Sequence, residues 1–92
     1  MLILRKEVTV ATYYFHIRHA DHVVVDFEGS AFPDLTAARQ EAIETLRELV
    51  RHALMKRGQE IPMGIVIHDE RGAWAAEVDI ATAIPEIVPR LR

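Results

Sequence analysis

Residues 34–58, DLTAARQEAIETLRELVRHALMKRG, are the stretch on which the fold turns. Leu35, Ala38, Ala42, Leu46, Leu49 and Ala53 recur at spacings of three and four, and Ile43, Val50 and Leu54 widen the stripe. That period belongs to an α-helix with one buried face. Arg39, Glu41, Glu44, Arg47, Glu48, Arg51 and His52 occupy the other face. There Glu44 with Arg47 and Glu48 with Arg51 are helical neighbours contributing about 0.2–0.5 kcal/mol each. Asp34 is an N-cap residue, since its short carboxylate accepts from orphan amides of the first turn. Lys56 and Arg57 complement the dipole at the far end, and Gly58 supplies a left-handed stop.

Each flank of this helix reads as a β-hairpin. Tyr13–Arg18 (YYFHIR) and His22–Phe27 (HVVVDF) are rich in aromatic and β-branched residues, separated by His19, Ala20 and Asp21. A three-residue loop sets Arg18 opposite His22 and His16 opposite Val24, which places Tyr13, Phe15, Ile17, Val23, Val25 and Phe27 on one side. Beyond Pro62, Gly64–His68 (GIVIH) and Ala73–Ile80 (AWAAEVDI) flank Asp69-Glu70-Arg71-Gly72, which suits a type I turn. Read literally, that loop pairs Ile67 with Trp74 and Ile65 with Ala76. Met63, Ile65, Ile67, Trp74, Ala76, Val78 and Ile80 then share the inner face. The expected class is α+β, in β-β-α-β-β order: a four-stranded, mainly antiparallel sheet with one long helix packed on one face. Strand order 2-1-3-4 keeps the connection right-handed.

Between the first hairpin and the helix, Glu28–Pro33 reads as a connector, its Gly29, Ser30 and Pro33 opposing a strand. The chain divides into an N-terminal extension at 1–12, able to add a strand, a single domain at 13–80 and a tail at 81–92. Pro85 and Pro89 limit the tail to one short turn of helix. With 92 residues there is room for one core. Half the residues are apolar and 27% are charged, a globular composition. The absence of cysteine excludes disulfides and thiolate chemistry, so nothing requires an oxidising compartment, and the cytoplasm is expected. No stretch reaches the roughly 20 apolar residues of a membrane span. A net charge of −3 opposes generic polyanion binding.

Three markers in this order resemble a family of small bacterial proteins catalogued only as a domain of unknown function. They are Phe15-His16-Ile17 in the first strand, Pro33-Asp34-Leu35 with Ala37-Ala38-Arg39 at the helix entry, and the turn Asp69-Glu70-Arg71-Gly72. The similarity runs over Tyr13–Ile80. It implies the β-β-α-β-β fold and brings no activity, so no catalytic residue is transferred.

The residues themselves offer few sites. Five histidines is a high count, and His16, His19 and His22 recur every three positions beside Asp21 and Asp26. Imidazole with carboxylate can hold zinc or another divalent ion, so these three are the candidate metal ligands, weighed against ordinary solvated histidines. In the register above His16 and His22 are a diagonal pair, with His19 on the loop. His68 with Glu77 and Asp79 would form a proton-transfer pair on the outer face, or the two acids would guard an edge strand. No GxGxxG, P-loop, GxSxG or HExxH spacing occurs, so no catalytic residue and no cofactor is assigned and the chain is read as a non-enzyme. Arg39, Arg47, Arg51, Lys56 and Arg57 are largely balanced by Asp34, Glu41, Glu44 and Glu48, which disfavours nucleic acid. Trp74 is expected in the core.

A single helix covers only one side of a sheet, so Tyr14, Val24, Val66, Ala73 and Ala75 leave the other side partly apolar. The reading is therefore a small cytoplasmic binding or regulatory module. It self-associates through the open face or a strand edge and is able to engage a protein partner. The alternatives are a nucleic-acid-associated dimeric regulator and a His-rich protein that binds a metal or small ligand.

Overall fold

The computed structural model describes residues 9–85. The expected extension and tail therefore lie mostly outside the described residues. Strand β1 (Ala11–Arg18) is followed by β2 (Val23–Val24), β3 (Ser30–Phe32), helix α1 (Leu35–Met55), β4 (Gly64–His68), β5 (Trp74–Asp79) and the single turn α2 (Ile80–Ala83). The sheet runs β2-β1-β4-β5, entirely antiparallel, with β3 also pairing β1. With the extra strand set aside, this is the order expected from handedness, and the class is α+β as read.

Helix α1 begins where the cap chemistry puts it. The Asp34 carboxylate accepts from the Ala37 amide at 2.8 Å, and Gly58 has a φ of +75° just past the helix end. Ala38, Ala42, Leu46, Val50 and Ala53 are buried, and Ala42, Leu46 and Val50 cluster with Ile65, Ile67 and Val78 of the sheet. Small alanines let the helix lie close to the strands, while Leu46, Val50, Ile65, Ile67 and Val78 supply the volume. Burying each of those larger side chains contributes about 1.5–3 kcal/mol. Leu54, placed on the buried stripe by spacing alone, is 57% exposed, although Ala53 beside it is buried.

Three expectations are corrected. The first hairpin pairs Ile17 with Val24 and Arg18 with Val23, one residue out of the expected register, around a four-residue loop closed by His19 N–H donating to His22 O. The second strand stops at Val24, so Val23 and Val25 are half exposed and Phe27 is 86% exposed, none of them core. Asp26 causes this. Its carboxylate accepts from Phe15 N–H at 3.0 Å, occupying the stretch of β1 edge between β2 and β3 that a longer strand would have paired.

The second correction is β3. Ser30–Phe32 pairs with Ala11–Tyr13 despite the glycine and proline around it, because Gly29 turns the chain with a φ of +72° and Pro33 lies just outside the ladder. Phe32 stacks on Phe15 at 5.6 Å and tilts against Tyr13 at 6.2 Å, closing that end of the sheet.

The third is Trp74. The β4–β5 register shifts between Ile67 and His68, so Ile67 faces Ala76 while His68 faces Trp74. The bulge spends the extra residue, Ala75, on the core side, where it packs against the buried cluster. Trp74 is thereby turned onto the outer face, 64% exposed.

Candidate functional site

Two regions gather the side chains able to bind something. The first is the sheet face opposite α1. Alternation along β1 and β4 and the observed registers put Tyr14, His68 and Trp74 in one row across the strands and His16, Val66 and Glu77 in the next. Arg18, Gly64 and Asp79 make the third. The His16 and His68 rings meet edge to face at 4.5 Å, and Tyr14 lies parallel to His16 at 6.4 Å. The result is an aromatic strip with Val66 beside it, bordered by an ion pair.

That ion pair passes over a residue with no side chain. Arg18 Nε donates to Glu77 Oε2 at 2.7 Å across the intervening strand β4. A Cβ on Gly64 would lie 3.0 Å from the Arg18 guanidinium and 2.7 Å from the Val78 carbonyl oxygen. The closer of the two is main chain, so glycine is required first by the packing of β4 against β5.

His16 is fixed by the neighbouring connector. Asp26 N–H donates to His16 Nδ1 at 3.0 Å, while the Asp26 carboxylate also accepts from Glu28 and Gly29 amides at 3.1 and 3.0 Å. Burial lowers the pKa of His16 from 6.5, and the nearby His68 lowers it further against a smaller opposing pull from Asp26. Burial alone would raise Asp26, but the Gly29, Phe15 and Glu28 amides outweigh it and hold its pKa below 3.8. The expected partnership of His68 with Glu77 and Asp79 does not form. Glu77 is engaged by Arg18, and Asp79 caps α2 by accepting from Thr82 N–H at 3.0 Å, which holds its pKa below 3.8.

The second region is the β1–β2 turn. Of the three histidines singled out, the structure brings His19 and His22 together, their rings stacked at 4.6 Å, and leaves His16 with Asp26 and His68. The third member is Glu60, which spacing did not suggest. Its Oε1 lies 3.8 Å from His19 Nδ1 and 3.7 Å from His22 Nε2. Asp21 accepts from His22 Nδ1 at 2.7 Å, an interaction that raises the pKa of His22 and lowers that of Asp21. Antiparallel pairing explains the meeting. Gly64 opens β4 opposite Arg18 at the end of β1, and Met63 N–H donates to Arg18 O, so the connector carrying Glu60 returns beside the turn.

The helix cations are partly spent in pairs, Arg51 with Glu48 at 2.6 Å and Arg47 with Glu44 at 3.8 Å. No helix among the described residues is long and apolar enough to cross a membrane. No curated protein and no protein of solved structure shows significant similarity to the chain. Residues 12–81 match the domain of unknown function DUF6894, covering β1 to the start of α2, and the chain belongs to that family.

Proposed function

We propose that this protein is a small cytoplasmic binding module, not an enzyme, that pairs with a second copy of itself through the outer face of the sheet. The observation behind this reading is the position of Trp74, 64% exposed and in one row with Tyr14 and His68, on a face that a single helix on the reverse side does not reach. Exposed aromatic residues with an amphipathic tip are typical anchors of protein interfaces. The Arg18–Glu77 ion pair that borders the strip supplies part of the polar rim such interfaces have. A two-fold arrangement presents the same patch twice, so every change to it is felt in duplicate. The absence of cysteine suits a reducing compartment.

Sedimentation velocity across the micromolar range tests the reading. The wild-type chain is expected to sediment as a dimer, and Trp74→Arg, which replaces the apolar anchor of each copy with a charge, as a monomer with an unchanged circular dichroism spectrum. A wild-type chain that stays monomeric, or a Trp74→Arg chain that stays dimeric, would overturn the outer-face pairing.

A further inference from the structure

We infer that His19, His22 and Glu60 form a binding site for a divalent transition-metal ion of the zinc, cobalt and nickel class, clamping the β1–β2 turn to the connector before β4. One ligand atom from each residue lies within 4.8 Å of the others, and Glu60 Oε1 faces His19 Nδ1 and His22 Nε2. A tetrahedral zinc ion with bonds of about 2.0–2.2 Å spaces its ligand atoms roughly 3.3–3.5 Å apart. The carboxylate-to-ring distances of 3.7 and 3.8 Å are within a few tenths of an ångström of that. The two rings are nearly parallel, 9° apart, so convergence on one ion requires them to splay, a motion open to the half-exposed His22.

Two details point to a metal rather than a proton. His22 donates through Nδ1 to Asp21, which leaves the lone pair of neutral Nε2 facing a carboxylate oxygen beyond hydrogen-bond reach. Two acceptors turned toward each other call for a cation between them. A protonated His22 between Asp21 and Glu60 would answer that, but it leaves His19 Nδ1, a buried polar atom with no hydrogen-bond partner, still unsatisfied. A metal ion satisfies all three atoms at once. Asp21 then does what a carboxylate behind a ligating imidazole does, fixing its tautomer and ring orientation. Two imidazole nitrogens and one carboxylate favour zinc-like ions over calcium or magnesium, which take oxygen sets. His22 and Glu60 are about half exposed, so water can reach and complete the coordination set.

The site lies within one chain, so it stands or falls independently of self-association. The test is titration of the full-length, untagged, chelator-dialysed protein with zinc by calorimetry and with cobalt by visible absorption. One ion per chain is expected, with the cobalt spectrum showing the intense bands of a tetrahedral site. Glu60→Gln and His22→Asn are each expected to weaken binding by more than about ten-fold, and Asp21→Asn by about ten- to a hundred-fold. His16→Asn and the helix-surface control His52→Asn should leave affinity unchanged. Absence of saturable binding at one equivalent would overturn the inference, as would retention of wild-type affinity in Glu60→Gln. A loss in His16→Asn matching that in His22→Asn would overturn it in favour of the three-histidine set.

Discussion

Asp26 shows how one side chain can decide the course of a strand. The run HVVVDF has the alternation of an edge strand, yet the carboxylate does the pairing that the backbone would have done, taking the Phe15 amide and two amides of its own turn. Its backbone amide in turn holds His16 by Nδ1. Asp26→Asn keeps the shape but replaces one acceptor oxygen with a donor, leaving the part-buried Phe15 amide unpaired. The expected loss is about 1–3 kcal/mol in urea unfolding at neutral pH. The pH dependence follows from the lowered pKa. Because the folded chain holds Asp26 below 3.8, it binds fewer protons there than the unfolded chain. The carboxylate's contribution is present above that value and disappears as the pH falls through the folded value. The gap between wild type and Asp26→Asn should therefore narrow on acidification; a gap that widens would show that the carboxylate does not do this pairing.

Elements marked by local chemistry were legible in the sequence, and those set by a distant partner were not. The helix declared its start through Asp34, and its period named Ala38, Ala42 and Leu46 as core, whereas the helix ends at Met55 with Lys56 already extended, three residues before the expected stop at Gly58. Strand β3 was hidden because Gly29 and Pro33 look like loop residues, whereas Phe32 is held by Phe15 and Tyr13, aromatics far along the chain. The bulge that turns Trp74 outward follows from Ala75 fitting the core, which no period-two count anticipates. Gly64 is the element-scale case with a test. An added Cβ meets the Val78 carbonyl oxygen at 2.7 Å, and main chain cannot move aside as a flexible side chain can. Gly64→Ala is expected to destabilise by about 1–3 kcal/mol through overpacking between β4 and β5. Shortening Arg18 in the double variant Gly64→Ala, Arg18→Ala should not restore stability. Restoration would place the conflict with the guanidinium instead.

At the scale of the molecule, what could be read was the asymmetry of one helix on one sheet, and two of the three members of the turn cluster. His19 and His22 stood out by spacing, while Glu60 did not, because its place follows only once β4 is laid antiparallel beside β1. The same asymmetry makes the single tryptophan a reporter of a different event from the one its expected core position would give. A buried indole shifts to longer wavelength on unfolding, but Trp74 is mostly exposed in the folded chain, so the dilute protein should already emit near the wavelength of the denatured state. If two outer faces meet, the indole leaves water on association, and emission should move to shorter wavelength as concentration rises, in step with the sedimenting dimer. Fluorescence and sedimentation measured on one dilution series compare the two. Dimer formation without a wavelength shift would mean that copies meet elsewhere, with the exposed Val23–Val25 edge and Phe27 the next surface to mutate.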